Sequence, residues 1–183
     1  MTYHMAQFPK SGETPSAWVC RFVPMIRSGG NVLDLACGIG GHARWLAAQG
    51  WQVEAVDRDA VLLEGLQNIP GISARCADLE QGAWPYASQC FDGIVVTRYL
   101  HRPLLPLLAE ALHENGVLIY ETFMLGNEQF GRPRSPEFLL RPDELLEVFG
   151  ARLSVIAFEQ GVEKSPRTAV MQRICAVNAP ASD

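Results

Sequence analysis

The chain has 183 residues, of which 48% are hydrophobic and 19% are charged. This length and composition predict a single globular domain over residues 1–183, and they differ from those of disordered, collagen-like or disulfide-rich chains. Asp and Glu outnumber Lys and Arg by 20 to 15, and the resulting net charge of −5 argues against a general attraction to nucleic acid or anionic membranes.

Short apolar runs alternate with helical stretches along most of the chain. The predicted elements are, in order, helix 16–26, strand 31–36, helix 42–49, strand 52–57, helix 60–67, strand 72–76, strand 91–96, helix 104–113, a turn at Asn115 and Gly116, strand 117–123, helix 142–149, and strands 152–158 and 168–177. Alternating strands and helices favour βαβ units and a parallel sheet. The last two strands have no helix between them and are therefore expected to be antiparallel.

The segment after the first predicted strand is rich in glycine, with Gly38, Gly40 and Gly41 in close succession. Glycines at this place let the backbone approach a ligand closely, and the helix that follows directs free N–H groups toward it. Asp57 comes 19 residues after Gly38, at the end of the second strand. A carboxylate there can accept hydrogen bonds from both hydroxyls of an adenosine ribose, which predicts nucleotide binding at the carboxyl ends of parallel strands.

The charge of Asp34 indicates which kind of nucleotide the glycine-rich segment binds. The spacing of Gly38, Gly40 and Ala43 also fits the dinucleotide pattern G-x-G-x-x-G/A, but that pattern alone is weak. A carboxylate at Asp34, inside the first strand, would lie unfavourably beside a pyrophosphate. It suits a cofactor that carries positive charge, such as the ammonium and sulfonium groups of S-adenosylmethionine. The alternative is that Asp34 only caps a turn.

On these residues the sequence resembles the class I S-adenosylmethionine-dependent methyltransferases, especially small stand-alone bacterial enzymes and, more distantly, tellurite-resistance methyltransferases. The matching stretch is residues 32–40, followed by Asp57 and then by Asp78 and Leu79, and the general resemblance covers residues 31–123. The family pattern is D-x-G-x-G-x-G, and Ala36 replaces its first glycine, a mild change if its φ stays negative. The resemblance implies an α/β, Rossmann-like fold: a three-layer αβα sandwich whose mostly parallel seven-stranded sheet has an antiparallel last strand.

The resemblance also implies a site for S-adenosylmethionine, which leaves as S-adenosylhomocysteine, and no metal. Its residues are expected to be Asp34, Ala36, Gly38, Gly40, Asp57, Arg58, Asp78, Leu79 and Arg98. Asp34 would lie near the methionine ammonium, Asp57 would bind the ribose, and Asp78 would accept from the adenine amino group. The helix beginning near His42 would turn its positive end to the cofactor carboxylate. As alternatives, Asp78 caps a helix and Arg58 is a solvated surface charge.

The methyl acceptor is less well indicated. The segment after the fourth strand, residues 97–103, lacks the N/D-P-P-Y/F sequence of many amino-group methyltransferases. His101 in this segment is the candidate general base, with a surface packing role as its alternative. Tyr99 and Glu121 are candidate acceptor-binding residues. So are Arg132 and Arg134, in a long substrate-side loop at residues 124–141. Together with Arg141, these arginines are expected to hold a carboxylate or phosphate group of the acceptor. The alternative is that they pair with Glu128, Glu137 or Glu159 and so fix the loop.

Residues 1–28 are expected to form a helical lid over the cofactor, or to dock a terminal helix on the core through aromatic side chains. The aromatic and imidazole side chains concerned are Tyr3, His4, Phe8 and Trp18.

The leading hypothesis is therefore a cytoplasmic methyltransferase, monomeric or homodimeric, that acts on a small molecule. Five cysteines without a C-x-x-C pair suit a reducing compartment, and no apolar run reaches the roughly 20 residues that span a bilayer. The alternatives are an RNA methyltransferase, which the acidic composition disfavours, and a catalytically inactive partner subunit that binds S-adenosylmethionine. A dinucleotide-dependent oxidoreductase ranks last.

Overall fold

The computed structural model describes residues 15–180 and arranges them as one sheet with helices on both faces. The strands are β1 (Asn31–Leu35), β2 (Gln52–Asp57), β3 (Ile72–Cys76), β4 (Phe91–Thr97), β5 (Leu112–Phe123), β6 (Ser154–Glu163) and β7 (Ala169–Val177). The helices are α1 (Ala17–Phe22), α2 (Gly41–Ala48), α3 (Ala60–Glu64), α4 (Leu105–Ala111) and α5 (Glu144–Gly150). In this described part, no helix has the length and apolar character needed to cross a membrane.

The seven strands lie in the order β3-β2-β1-β4-β5-β7-β6. Strands β1 to β5 pair in parallel, whereas β7 is antiparallel to both β5 and β6. The predicted fold, including its antiparallel last strand, is confirmed. The chain order reverses between β1 and β4, and a crevice at the carboxyl ends of the strands is where this class of sheet binds ligands.

Each face of the sheet carries its own apolar core. Helices α1 and α2 cover one face, where Val32, Leu46 and Ile119 are fully buried. Helices α4 and α5 cover the other, where Leu33 and Phe149 are fully buried. Burial on both faces explains why the central strands are almost continuously apolar in sequence.

The predicted boundary between α4 and β5 is wrong. A helix was expected to reach His113 and a turn to follow at Asn115 and Gly116, but α4 ends at Ala111 and β5 begins at the next residue. Leu112 already pairs with Phe91, and the register then shifts before Val117 pairs with Gly93. Asn115, with φ of 63°, lies in this irregular stretch, so the turn signal marks a bulge inside a strand.

Other boundaries differ by a few residues. Helix α1 ends at Phe22 instead of reaching residue 26, and a 3-10 turn containing Pro24 follows, because proline cannot donate the next helical hydrogen bond. Helix α3 ends at Glu64, before Gly65. Strand β6 continues to Glu163 because it forms a long hairpin with β7.

Residues 77–90, which connect β3 to β4, form no helix, and we call them the crossover strap. Tyr86 in the strap packs edge-on against Trp84 and Phe91, with ring centroids 5.1 Å apart in each pair. The strap therefore covers the β2–β3 part of the sheet only thinly, and most of β3 remains exposed.

Candidate active site

A cavity of about 170 Å³ opens at the carboxyl ends of the parallel strands. Its lining residues are Ala36, Asp57, Arg58, Ala77, Asp78, Leu79, Glu80 and Tyr99. The structure thus brings five of the predicted cofactor residues together. Tyr99, predicted on the acceptor side, lies among them. Sequence reasoning missed Ala77 and Glu80, although they flank the pair of residues that it singled out.

Asp57 organises the glycine loop. Its Oδ2 accepts a hydrogen bond from the Gly38 amide at 2.8 Å, and its Oδ1 accepts one from the Asp59 amide at 3.0 Å. Gly38 has φ of 55°, and a Cβ built on it would project into open space. A carboxylate has about four acceptor positions, so Asp57 retains capacity for ribose hydroxyls while it holds the loop.

Asp34 is a buried carboxylate with an unused oxygen. The residue is 1% exposed in the central strand β1, and its Oδ2 has no hydrogen-bond partner within residues 15–180. Burial raises the pKa of Asp34 to about 7; the Ala43 amide at the start of α2 opposes this shift, and the charge of Asp57 adds to it. A buried carboxylate oxygen without a hydrogen bond is costly for an apo protein, and a cationic ligand would relieve that cost.

Ala36 adopts a left-handed conformation, with φ of 53°. The expectation that alanine is tolerated here because φ stays negative is wrong. A non-glycine residue in this region is strained, and such strain is typical of ligand-binding loops. Because Ala36 lines the cavity, its strained backbone belongs to the site itself.

Ala36→Gly is expected to stabilise the protein by up to about 1 kcal/mol, because relief of left-handed strain exceeds the extra chain entropy of glycine. Urea unfolding of the two apo proteins measures this difference. Gly38→Ala, which places a methyl group at another left-handed residue, is the control with the opposite sign. Equal or lower stability of Ala36→Gly would contradict the strain argument.

Gly40, predicted to line the cofactor, is required for packing as well. It has φ of 76°, and a Cβ built there would lie 2.4 Å from Leu66 Cδ2. It immediately precedes α2, whose Ala43 amide faces Asp34. The positive end of α2 is therefore shared with Asp34 and is not free for a cofactor carboxylate alone.

His42 links the start of α2 to the segment before α1. Its Nε2 accepts a hydrogen bond from the Ser16 amide at 3.1 Å, while Ser16 Oγ caps α1. Burial lowers the pKa of His42 to about 4, and the charge of Arg98 contributes, so the ring is neutral near pH 7. Sequence reasoning did not assign His42 a role, because its partner lies 26 residues away.

The aromatic residues predicted for the lid divide in two. Tyr3, His4 and Phe8 lie outside the described residues. Trp18 is 4% exposed and donates from Nε1 to the Ile174 carbonyl at 3.3 Å, so it docks α1 on the core.

Arg98 follows β4 in a left-handed conformation, with φ of 55°, and its side chain is exposed. Its amide donates to the Glu121 carbonyl at 2.9 Å, and its charge reaches His42 near the start of α2. The predicted cofactor residue Arg98 thus lies at the rim of the crevice, between the ends of β4 and β5, and outside the residues that line the cavity.

Asp78 closes a turn, not a helix as its alternative role supposed, and it also lines the cavity. Its Oδ1 accepts from the amides of Glu80 and Gln81 at 2.9 and 3.1 Å, which closes a turn at the start of the crossover strap. The same residue lines the cavity. Tyr99 lies against this turn, and burial together with the charge of Glu80 raises the pKa of the Tyr99 phenol, which therefore remains protonated.

Glu121 is held by an ion pair. Its Oε2 lies 3.0 Å from Arg173 Nε, and the Arg173 guanidinium also contacts Glu163. Glu121 is 5% exposed, so its charge is neutralised inside the fold. The structure therefore does not present Glu121 as a free carboxylate toward an acceptor.

The substrate-side loop is anchored by Arg102, a residue that sequence reasoning did not single out. Its guanidinium binds Glu144 through Nε at 2.6 Å and Nη2 at 3.0 Å, and it donates to the carbonyls of Glu137 and Leu139. Burial pushes the pKa of Glu144 up, but hydrogen bonds from Arg102 and the Arg141 amide outweigh it and hold the pKa below its usual value. This network ties the loop to the segment after β4.

Arg132 and Arg134 are exposed on that loop and form no salt bridge within the described residues. Arg141 on the same loop forms ion pairs, but with Glu144 and Glu147 at 3.5 Å and not with the glutamates expected from the sequence. The two remaining arginines are thus available to a ligand.

His101 is half-buried at the start of a 3-10 turn. Its carbonyl accepts from the Leu104 amide, and its ring has no hydrogen-bond partner in the described chain. It follows Tyr99 by two residues, which places it near the cavity without lining it.

These residues fit S-adenosylmethionine. The unpaired oxygen of Asp34 suits a cation, the open space at Gly38 admits a ligand against the backbone, and Asp57 retains acceptor capacity. No cluster of metal-ligating side chains occurs between residues 15 and 180.

Comparison with known proteins agrees with this geometry. A family described as methyltransferase domain matches residues 32–116. A comparison with curated proteins finds no significant match. The described fold is similar to TehB from Haemophilus influenzae, with a TM-score of 0.75 and 18% identity over 90% of this chain and 63% of TehB. The chain therefore spans less than two thirds of the length of TehB.

Two further solved structures are similar to this chain over nearly the whole of their own length. A methyltransferase from Methanosarcina mazei, described as dependent on S-adenosylmethionine, gives a TM-score of 0.70 at 14% identity over 87% of this chain and 97% of that one. A second one so described, from Mesorhizobium loti, gives 0.71 at 14% identity over 91% and 100%. The match to the methyltransferase-domain family covers the glycine loop and the first four parallel strands, and the fold is the one found in these S-adenosylmethionine-dependent methyltransferases.

Proposed function

We propose that the protein transfers the methyl group of S-adenosylmethionine to a small-molecule acceptor by in-line displacement. The observation that carries the proposal is the buried carboxylate oxygen Oδ2 of Asp34, close to the glycine loop, which has no hydrogen-bond partner in the part of the chain that the structure describes. An ionisable group kept in this state at the carboxyl end of a parallel sheet is a strong indication of a ligand that carries positive charge.

Each cofactor residue has a separate task in this proposal. Asp34 faces the ammonium of the methionyl part, Asp57 accepts from the ribose hydroxyls, and Asp78 and Leu79 hold the adenine. Arg98 and the start of α2 attract the methionyl carboxylate. Bound S-adenosylmethionine supplies an activated methyl group, and its displacement by an acceptor lone pair leaves S-adenosylhomocysteine. Because the donor is already activated, positioning alone contributes about 7–11 kcal/mol to catalysis in favourable cases.

The acceptor is proposed to carry an anionic group. Arg132 and Arg134 are exposed and without a salt bridge in the described chain, on the loop that continues from β5. Guanidinium groups bind carboxylate or phosphate groups through bidentate hydrogen bonds. His101 would accept a proton from the acceptor if the accepting atom carries one.

A role for the N-terminal residues follows from the His42 contact. Ser16 is held 3.1 Å from His42 at the start of α2, so the beginning of the described chain lies beside the glycine loop. We propose that the segment before β1 acts as a lid over the bound cofactor, within a single domain that acts as a monomer or homodimer. Free thiols at all five cysteines suit a reducing, cytoplasmic environment.

Isothermal titration calorimetry tests the cofactor assignment. The protein is expected to bind S-adenosylmethionine and S-adenosylhomocysteine but not NAD. Asp57→Ala should weaken S-adenosylhomocysteine binding by at least about 1.4 kcal/mol, or tenfold, through loss of charged hydrogen bonds. Asp59→Ala is the matched control, because Asp59 is a neighbouring carboxylate that caps α3 outside the cavity.

The results separate the alternatives. Tight NAD binding alone would overturn the assignment, and equal affinities of the Asp57→Ala and Asp59→Ala proteins would remove Asp57 from the site. Radiolabel transfer to RNA, but not to a metabolite extract, would favour the RNA reading. Binding of S-adenosylmethionine without transfer of the labelled methyl group to RNA or to the metabolite extract would favour an inactive partner subunit.

A further inference from the structure

A second cavity, of about 490 Å³, opens at the amino ends of β1, β2 and β3, the edge of the sheet opposite the candidate active site. It lies between Glu54 and Ser73 on the sheet and Pro85 and Tyr86 on the crossover strap. Its volume falls within the roughly 300–1,000 Å³ of small-molecule sites. The absence of a helix from the strap leaves this face of the sheet accessible, and its side chains there are polar.

A fixed ion pair forms one wall of the cavity. Glu54 Oε1 accepts from Arg75 Nε at 2.5 Å and from the Tyr86 hydroxyl at 3.2 Å. The Glu54 side chain is only 16% exposed, and the Arg75 guanidinium lies over the Tyr86 ring, 5.4 Å from its centroid. Contacts from two strands and the strap therefore hold both charges in place.

The ion pair between Glu54 and Arg75 leaves one hydrogen-bond acceptor and two donors free for a ligand. Within residues 15–180, Glu54 Oε2 and the two terminal nitrogens of Arg75 have no hydrogen-bond partner. A ligand ammonium can donate to the free carboxylate oxygen, and a ligand carboxylate can accept from the guanidinium. Pro85 and Ala87 on the strap provide apolar surface beside them. The combination matches a small zwitterion that also carries an apolar side chain.

The crossover strap connects this cavity to the candidate active site. Ala77 to Glu80, at its beginning, line the active-site cavity, whereas Pro85 to Ala87 line the second one. Strand β2 makes the same connection, since Glu54 lies three residues before Asp57. A ligand that fixes the end of the strap also restricts its beginning, which is a physical route for coupling between the two sites.

We propose that the second cavity binds a zwitterionic molecule of amino-acid to dipeptide size, and that its occupation changes cofactor affinity through the crossover strap. The binding site stands on its own observations, whereas the coupling rests on the proposed function. The occupant is a regulator and not the methyl acceptor, because the cavity lies at the opposite edge of the sheet.

The test uses L-phenylalanine and L-leucine as probes, with 3-phenylpropanoate and phenethylamine as analogues that each keep one charge. At millimolar concentrations, an amino acid is expected to raise Tm saturably. Each analogue should bind at least about tenfold more weakly, because it loses one charged contact. S-adenosylhomocysteine titrated with and without the amino acid should show an affinity change of about fivefold.

Three variants locate the binding. Glu54→Gln removes the carboxylate, and Ser73→Leu fills the cavity while leaving the ion pair in place; both should abolish the effects of the probes. Glu64→Gln, an exposed position on α3 outside both cavities, is the control and should respond like the parent.

The outcomes are distinct. No saturable response to either amino acid, with normal S-adenosylhomocysteine binding, overturns the second site and leaves the proposed function intact. A response that survives both Glu54→Gln and Ser73→Leu places the probe elsewhere and also overturns it. Amino-acid binding without any change in cofactor affinity overturns the coupling. Amino-acid binding in a protein that binds no S-adenosylhomocysteine supports the site and contradicts the proposed function.

Discussion

Replacing Asp34 with asparagine is expected to stabilise the apo protein above neutral pH while weakening cofactor binding. Burial raises the folded pKa of Asp34 to about 7, above the ordinary value of 3.8. Between these values the folded protein retains a proton that the unfolded chain releases. The contribution of Asp34 to stability is therefore complete below the unfolded pKa and is lost as pH rises through the folded pKa, by on the order of 2–4 kcal/mol in all. Asparagine has no such loss.

Thermal unfolding of parent and Asp34→Asn proteins between about pH 4, close to the unfolded pKa, and about pH 8.5 measures the effect. The two Tm values should be similar at the acidic end, and the variant should unfold at a higher temperature at the alkaline end. Asp92→Asn is a control of opposite sign, because the hydrogen bonds from Arg27 lower the pKa of Asp92 and its ionised form stabilises the fold. A Tm difference for Asp34→Asn that does not change with pH would show that the carboxyl group is already ionised without ligand.

Cofactor affinity should change in the opposite direction. The ionised carboxylate complements the ligand ammonium, so parent affinity for S-adenosylhomocysteine should rise with pH through about 7. The Asp34→Asn protein should bind about 10- to 100-fold more weakly above that pH, with a flat profile, because a charged contact is lost. Calorimetry in buffers of different ionisation enthalpy should also detect proton release when the parent binds ligand.

Removal of the Arg102 side chain is expected to lower the stability of the fold substantially. Arg102→Met leaves the Glu144 carboxylate, which is 3% exposed, without its main partner. Breaking a buried ion pair on one side costs about 3–5 kcal/mol, and the partial exposure of Arg102 reduces the expected loss to about 2–4 kcal/mol. In a chain of this size that corresponds to a Tm lower by roughly 5–15 °C. Chemical and thermal unfolding measure it.

Two further variants show the origin of the loss. Arg102→Met combined with Glu144→Gln should recover part of the stability, because no uncompensated charge then remains inside. Arg152→Met disrupts an exposed pair with Glu110, in which both side chains are at least half exposed, and should cost less than about 1 kcal/mol. Equal losses for Arg102→Met and Arg152→Met would mean that the Arg102 network does not hold the substrate-side loop.

The sheet and the cofactor loop were predictable because their signals are local. Apolar runs separated by helical spacing define β1 to β4 within a residue or so, and a carboxylate within β1 with another at the end of β2 identifies the crevice. These properties depend on neighbours in the chain, so the order of residues contains them.

The partners of the polar side chains were not predictable in this way. Arg102 meets Glu144 from 42 residues away, and Glu121 meets Arg173 from 52 residues away. Such pairs form only after the loops have been placed on the sheet. For this reason Glu121 looked like a free acceptor-binding group in the sequence and is neutralised in the structure.

The backbone conformation of individual residues was also not predictable from the sequence pattern. Nothing in the sequence around Ala36 distinguishes φ of 53° from an extended conformation, and the same holds for Arg98. Asn115 and Gly116 were correctly associated with a break in regular pairing, but that signal does not distinguish a turn between elements from a bulge within β5.

The thin cover of the crossover strap has a consequence for how ligand and fold depend on each other. Strand β3 is exposed along most of its length, and Asp78 lies two residues beyond its end, so this thinly covered edge of the sheet also contacts the adenine in the proposed site. Local unfolding of β3 would therefore also release the nucleoside part of the cofactor. A tenfold rise in free cofactor above its Kd adds about 1.4 kcal/mol against such opening, so the edge becomes harder to unfold as the supply of methyl donor increases.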